Sequence, residues 1–273
     1  MICPICQKNT GKIIADTLRD GSRRKVFLCR QCQLGILDTH QTEEEIKKFY
    51  EKNYRVINKP KLQSKSSPQE LFNIYSKFQN DRLKLLSPYF GKNKNLLEVG
   101  CSAGMFLWHA KKLMGKTAGA DFDKDSAAFA AKKCRCPVYT DELTKTPLQK
   151  KTFDVVCAFQ TLEHVENPTK FIGELTEYLK PNGIIALEIP NLYDSLAHIY
   201  NLPNHYKFFY HSAHLWYFTE KSLLKLMAKC GFVGKIFHIQ DYNILNHMNW
   251  ILNDGPQSDC LAGLAEPVLP LRK

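Results

Sequence analysis

Cys3-Pro4-Ile5-Cys6 and Cys29-Arg30-Gln31-Cys32 form two C-x-x-C pairs within the first 32 residues. Two such pairs about 20 residues apart supply four thiolates for one tetrahedral ion, with both sulfurs of each turn facing it. A redox dithiol would need only one pair. The spacing therefore predicts structural zinc on Cys3, Cys6, Cys29 and Cys32, in a closed shell with no open catalytic position. A segment this short can hardly bury a core of its own, so the metal would hold it together.

A second constellation starts at Leu96-Leu97-Glu98-Val99-Gly100-Cys101-Ser102-Ala103-Gly104, an apolar strand running into a glycine-bearing turn and then a helix. Glycine lets the backbone turn tightly and lets a ligand lie against it. The pattern is G-x-S-x-G, on Gly100, Ser102 and Gly104. It lacks the glycine that admits a pyrophosphate in a G-x-G-x-x-G fingerprint, which argues against a nicotinamide dinucleotide. Asp121 ends the next strand, about 20 residues on, where a ribose-binding acid belongs. Asp123, one step into the loop, is the second choice. Asp141-Glu142-Leu143 follows the third strand. There an acid could accept from an adenine amino group while Leu143 packs on the ring; a solvated loop is the alternative.

The elements that must position these residues follow from periodicity. Strands are expected at Leu96–Gly100, Ala118–Asp121, Val138–Thr140, Phe153–Phe159, Ile184–Ile189 and Val233–Gln240. Helices are expected at Gly104–Met114, Asp125–Lys133, Pro168–Leu179 and Glu220–Lys229. Alternation of this kind predicts an α/β fold with a mostly parallel sheet, whose ligands bind beyond the carboxyl ends of the strands. Upstream, short β-like pieces lie at Lys12–Thr17 and Lys25–Cys29. Thr42 to Glu45 is a capping box opening a helix through about Tyr54. Residues Asn58–Pro68 read as a linker, and Gln69–Phe90 as a long amphipathic stretch. The expected organisation is an N-terminal zinc ribbon over residues 1–40, a helical linker region over 41–90 and a ligand-binding domain over 91–273.

The 273 residues, 44% of them hydrophobic, suffice for one α/β domain with a small appendage. The sequence has neither a long apolar run for a membrane span nor a signal-peptide h-region, so a cytoplasmic protein is expected. Cys101, Cys134, Cys136, Cys157, Cys230 and Cys260 read as reduced thiols of such a protein. The net charge is +11, and residues 1–90 hold 17 Lys and Arg against 9 Asp and Glu. That excess could attract a phosphate-bearing partner, nucleic acid or nucleotide-linked metabolite, or be a solvated basic surface.

Residues 95–240 resemble the class I S-adenosylmethionine methyltransferases. The resemblance rests on Glu98–Gly104, Gly119-Ala120-Asp121, Phe153-Asp154-Val155-Val156, Leu162-Glu163-His164-Val165 and Leu179-Lys180-Pro181-Asn182-Gly183, in the family's order and spacing. Ser102 replaces the family's commonest middle glycine. The resemblance implies a Rossmann-like fold and S-adenosylmethionine as cofactor, with Glu98, Gly100, Ser102 and Gly104 in its pocket and Asp121 on the ribose. It also implies that Phe159, Gln160 and Thr161 line the cleft, with Glu163 and His164 at the rim.

The ribbon, the Thr42–Tyr54 helix and this core together resemble a bacterial group that includes sugar C-methyltransferases acting on nucleotide-linked deoxysugars. The resemblance extends through His211-Ser212-Ala213-His214-Leu215-Trp216-Tyr217-Phe218-Thr219, and implies His214 as the base; His211 and His164 are the alternatives. Ala213 and His211 stand where that group carries an acid and a tyrosine, which weakens the case for carbon methylation. A small polar acceptor, sugar-like, is expected, with the accepting atom open. The aromatic and histidine-rich insert at about 191–217 is expected to be a lid or acceptor pocket. One alternative is RNA methylation through the basic ribbon region; another is an inert interaction protein. The sheet should end in an antiparallel hairpin starting at Val233–Gln240, for which Leu261–Lys273, with Pro267 and Pro270, makes a poor second strand.

Overall fold

The computed structural model describes residues 1–38, 67–195, 199–200, 202–203, 208–239, 248 and 252. The expected Thr42–Tyr54 helix, most of the 58–68 linker and Leu261–Lys273 lie outside the described residues. So do His198, His205 and Tyr206 of the insert. The chain divides into two compact units, Met1–Thr39 with Pro190–Lys273, and His40–Ile189.

The His40–Ile189 unit is built on a five-stranded sheet in the order β6-β5-β4-β7-β8. Its strands are β4 (Asn95–Val99), β5 (Lys116–Ala120), β6 (Val138–Tyr139), β7 (Phe153–Phe159) and β8 (Leu179–Glu188). Every pairing is parallel. Strand order reverses between β4 and β7, so this is the Rossmann-like arrangement, with its crevice at the carboxyl ends of those two strands. Leu96, Leu97, Val155, Val156 and Cys157 are fully buried, as strands covered on both faces require.

Helices Met105–Ala110, Lys124–Cys134 and Pro168–Tyr178 connect the strands. Local chemistry fixes where two of them start. Asp123 accepts from the Ser126 N–H, and Asn167, before Pro168, accepts from Lys170. At the opposite end of the sheet, the Asn95 N–H and Lys180 Nζ each donate to Asp154 Oδ2 at 2.8 Å, tying β4 to β7. Burial works against that charge, but these two donors hold the Asp154 carboxyl below the usual carboxylate range.

Three expectations change here. The Gly104–Met114 helix shortens to six residues, Met105–Ala110. The Gln69–Phe90 stretch is two helices, Pro68–Tyr75 and Asn80–Leu86, separated by a 3-10 turn at Ser76–Phe78. The last strand begins at Leu179, with a register shift where Lys180–Gly183 loop out of the ladder.

The other unit has a four-stranded antiparallel sheet, β1 (Lys12–Ala15), β2 (Val26–Leu28), β3 (Gly35–Leu37) and β9 (Trp216–Tyr217), in that order. The fourth strand comes from far along the chain: Gly35 pairs with Tyr217, and Ile36 with Trp216. Helix Glu220–Lys229 follows, started by a capping box between Thr219 and Ser222. Its lysines reach both C-x-x-C turns: Lys225 Nζ donates to the Gln31 carbonyl at 3.1 Å and Lys229 Nζ to the Pro4 carbonyl at 2.7 Å. The strand expected at Val233–Gln240 does not form over 233–239. Val233 is fully exposed and Phe237 half exposed, so these two side chains pack against no neighbouring strand.

Candidate functional site

The glycine turn leaves β4 at Gly100. Gly100 and Gly104 have φ of 76° and 78°, and Ser102 between them has φ of 47°. A β-carbon on Gly100 would lie 2.2 Å from Thr161 Oγ1, and one on Gly104 2.8 Å from Cys134 Sγ. Both glycines are thus demanded by conformation and by close approach. A left-handed serine costs about 1–2 kcal/mol. Here the Ser102 N–H donates to Asp121 Oδ2 at 2.7 Å, a charge-assisted bond that offsets the strain. Asp121 Oδ1 also accepts from the Asp123 N–H at 2.9 Å. Asp123 itself caps the following helix, which separates the two acids by role.

Glu98 points from β4 into the protein and is buried, with Oε2 lacking a hydrogen-bond partner. Burial pushes its carboxyl up to about 8; the Arg82 charge opposes the shift, and Asp121 and Cys136 add to it. At the far side of the crevice, Arg82 and Glu188 form a two-pronged ion pair: Nε to Oε2 at 2.7 Å and NH2 to Oε1. Gln79 Oε1 accepts from Arg82 NH1 at 2.9 Å, and Gln160 Nε2 donates to Glu188 Oε1 at 3.1 Å. Gln160 is itself left-handed, with φ of 51°.

The residues proposed from sequence for the cofactor fall into this picture unevenly. Glu98, Gly100, Ser102, Gly104 and Asp121 lie in or against one turn. Asp141 and Glu142 are exposed, with Glu142 Oε1 paired to Lys145 at 3.0 Å. Leu143 is buried, and its carbonyl accepts from Tyr178 OH at 2.6 Å. The Phe159 ring packs edge-on against Phe106 at 4.9 Å, inside the core. Glu163 and His164 are both buried after β7, 3.6 Å apart, and burial pushes the Glu163 carboxyl up to about 8. Arg82 and Glu188 were not singled out from sequence. The available signal was Glu188 itself, an acid ending a strand as Asp121 does.

In the other unit, the sulfurs of Cys3, Cys6, Cys29 and Cys32 all lie within 4.8 Å of one another, and Cys6 and Cys29 are 3.6 Å apart. A tetrahedron with metal–sulfur bonds near 2.3 Å needs sulfurs roughly 3.8 Å apart. The two turns repeat one hydrogen-bond pattern. Cys3 N–H donates to Lys8 and Cys29 N–H to Leu34, while Gln7 and Gln33 N–H return to the carbonyls of Cys3 and Cys29. Gln7 and Gln33 are both left-handed, φ 57° and 61°.

His211 and His214, in the same unit, have ring centroids 3.7 Å apart with their planes tilted by 48°. Tyr217 OH donates to the His211 carbonyl at 3.1 Å and accepts from the His211 N–H at 3.0 Å. The Tyr217 hydroxyl therefore engages both main-chain groups of His211.

Residues 71–234 match a family described as a methyltransferase domain. A ubiquinone biosynthesis O-methyltransferase from Pelagibacter ubique is 33% identical over 104 residues, covering 37% of this chain and 43% of that protein. A protein from Mycolicibacterium smegmatis described as a probable S-adenosylmethionine-dependent methyltransferase is 28% identical over 99 residues, 36% of this chain and 38% of that protein. The chain thus spans about two fifths of the length of these curated relatives. Among solved structures, magnesium protoporphyrin IX methyltransferase from Synechocystis PCC 6803 with bound SAH superposes with a TM-score of 0.51 over 72% of this chain and 93% of that one. At 13% identity this likeness speaks for the fold alone.

Proposed function

The chain belongs to the methyltransferase-domain family, and from that premise we propose that it transfers a methyl group from S-adenosylmethionine to a hydroxyl of a small polar acceptor. The observation that carries the reading is the turn from Gly100 to Gly104, bound through Ser102 to the Asp121 carboxylate. The residues fit the cofactor: the turn is kept open by two left-handed glycines, and Glu98 offers a buried oxygen without a partner. S-adenosylmethionine supplies a methyl carbon already activated by its positive sulfur. The task left to the chain is to hold, align and accept a proton.

Asp121 is the residue for the two ribose hydroxyls; a carboxylate has about four acceptor sites, so it can hold the turn and the ribose together. Glu98, Gly100, Ser102 and Gly104 receive the rest of the cofactor's polar end. Asp141, Glu142 and Leu143 are proposed for the adenine, and Gln160 for the crevice wall. Asp121→Ala should weaken S-adenosylmethionine binding by roughly 10- to 100-fold, the scale of one or two charged hydrogen bonds. Titration calorimetry on a variant shown to be folded checks this. Undiminished affinity would remove Asp121 from the site, and no binding to the wild type would remove the site.

For the proton we propose His214, on the resemblance of its segment, with His211 and His164 as alternatives. A neutral imidazole near pH 7 can accept from a hydroxyl as the methyl arrives. His214→Ala should lower turnover by roughly 10²–10⁴-fold while cofactor affinity holds. Wild-type turnover across pH 6–8 would exclude His214 as base.

The acceptor class rests on two supports. The segment from His211 to Thr219 resembles the sugar enzymes, which favours a nucleotide-linked sugar; the relative from Pelagibacter ubique is named an O-methyltransferase, which favours oxygen over carbon. RNA is the second reading, favoured by the 17 Lys and Arg against 9 Asp and Glu in residues 1–90. A methyl-transfer screen with labelled cofactor against nucleotide-sugars and total RNA separates the two, because RNA binding would fall steeply with salt. We propose zinc for the Cys3, Cys6, Cys29 and Cys32 cluster, whose donor set and sulfur spacing fit that ion.

A further inference from the structure

All strands of the five-stranded sheet run the same way, so the residues that precede them gather at one end, opposite the crevice. Stretches 91–97, 105–120 and 126–140, around the starts of β4, β5 and β6, hold seven lysines and one arginine, and Glu and Asp are missing from all three. Two of the lysines answer helix ends: Lys92 Nζ donates to the Lys112 carbonyl at 2.7 Å, and Lys111 Nζ to the Cys134 carbonyl. Asn95 at the head of β4 pairs with Lys116 at the head of β5, and the Gly115 N–H donates to the Lys94 carbonyl at 2.8 Å. These contacts draw the lysines of the first two stretches into one patch. The acids at this end, Asp154 and Glu177, are paired with Lys180 and Lys150. Among the described residues Lys112, Lys116, Lys132, Lys133 and Arg135 have no carboxylate partner.

The patch is shaped as well as charged. Lys112 Nζ lies 3.7 Å from the centre of the Trp108 ring and Lys133 Nζ 4.7 Å from that of Phe72, and the two rings meet edge-on at 5.9 Å. Between Lys112 and Lys116 the chain turns and sets an apolar side chain outward. The Ala110 carbonyl accepts from the N–H groups of Leu113 and Met114 at 2.8 and 3.0 Å, Met114 is buried, and Gly115 is tied to Lys94. Leu113 is thus held outward by a turn fixed on both sides, and is 44% exposed. Tyr89, just before Lys92, is exposed as well. A displayed leucine adds nothing to the binding of phosphates alone. It does suit the boundary between lipid headgroups and acyl chains, where lysines meet the phosphates and an apolar side chain leaves water.

We propose that this end of the sheet docks on a bilayer surface rich in anionic lipid, with Lys112 and Lys116 on the headgroup phosphates and Leu113 between them. The proposal does not rest on the cofactor reading. Among the described residues no helix is long and apolar enough to cross a membrane, so the contact is peripheral. A basic patch attracts any polyanion; Leu113 is the feature that favours lipid over nucleic acid. The sheet also sets an orientation. A five-residue parallel strand spans roughly 17 Å. With the amino ends of the strands on the bilayer, the crevice at their carboxyl ends faces water and takes its ligands from that side.

The test is sedimentation of the full-length protein with vesicles of phosphatidylcholine and phosphatidylglycerol, against vesicles of phosphatidylcholine alone. We expect binding to the first and not to the second, weakening as salt is added. Lys112→Gln combined with Lys116→Gln should bind roughly 25-fold more weakly, about fivefold for each charge near the surface. Leu113→Ala keeps the charge, removes apolar carbons and should bind roughly tenfold more weakly. Lys12→Gln combined with Arg23→Gln takes the same charge from exposed positions of the other unit and should bind as the wild type does. Thermal melting of each variant shows that it is folded. No binding to the anionic vesicles would overturn the proposal. An equal loss in the Lys12 and Arg23 variant would overturn it too, since the net charge of +11 would then act as a whole. Unchanged binding by Leu113→Ala, or tighter binding to a single-stranded RNA than to the vesicles, would overturn the lipid assignment in favour of a nucleic-acid face.

Discussion

Protein purified without chelator is expected to carry one zinc ion per chain, and Cys29→Ser to lose it. The β1–β3 strands are three or four residues long, and the first 38 residues themselves bury few large apolar side chains, among them Leu18, Val26, Leu34 and Leu37. So few side chains go only part of the way toward offsetting the entropy of ordering about 38 residues. Four sulfurs within 4.8 Å of one another add a difficulty in the absence of an ion: burial drives Cys3 up to about 11 and Cys32 higher still, so the thiols cannot all ionise together. A doubly charged ion removes that conflict, and apparent structural zinc affinities are on the order of 10–16 kcal/mol. Loss of one ligand should therefore make the first 38 residues a substrate for protease under conditions where the wild type resists. Elemental analysis paired with limited proteolysis reads both effects. Metal-free wild-type protein, or a Cys29→Ser variant with full zinc, would end the assignment.

The second large effect concerns Glu98 and pH. Its carboxyl titrates near 8 in the folded, cofactor-free protein against an ordinary value of 4.5, with burial as the main cause. Between those values the folded state keeps a proton that the unfolded chain has released. Stability is accordingly highest below about pH 4.5 as far as this group is concerned, and is lost as pH rises toward 8. A shift of this size corresponds to a few kcal/mol at pH 8, on the order of 1.4 kcal/mol per pH unit. Glu163, also held near 8 by burial, slopes the same way. Glu98→Gln keeps the shape and removes one titration, so the variant should unfold at higher denaturant concentration than the wild type at pH 8, with a smaller difference at pH 5. Parallel pH profiles for the two proteins would show that Glu98 holds no extra proton.

The sequence displays the parallel sheet and the glycine turn clearly because both are local. An apolar strand, two left-handed glycines and an acid one strand later are written within about 20 residues. The paired cysteines are equally legible, since each turn closes its own hydrogen bonds. What sequence reading missed depends on partners distant in the chain. Arg82 lies in an amphipathic stretch and Glu188 at a strand end; only the fold shows that they are one ion pair. Phe159 looks like a crevice residue by position, yet its ring turns inward onto Phe106. Trp216–Tyr217 carries no local sign that it pairs with Gly35–Ile36. The apolar residues from Val233 on suggested a strand, but over 233–239 none forms.

That late pairing has a bearing on how the protein is made. As a ribosome releases the chain from its N-terminus, β1 to β3 emerge early, but β9 is some 180 residues behind them. The same holds for Lys225 and Lys229, whose ammonium groups grip the two cysteine turns. Until then β3 presents an open edge, the feature through which nascent chains pair with the wrong neighbour. Early capture of the ion would give the first three strands a fixed shape while they wait. If the proposed zinc site is filled at that stage, metal supply during synthesis would govern yield, and a transfer of residues 1–38 alone into another protein leaves the fourth strand of their sheet behind.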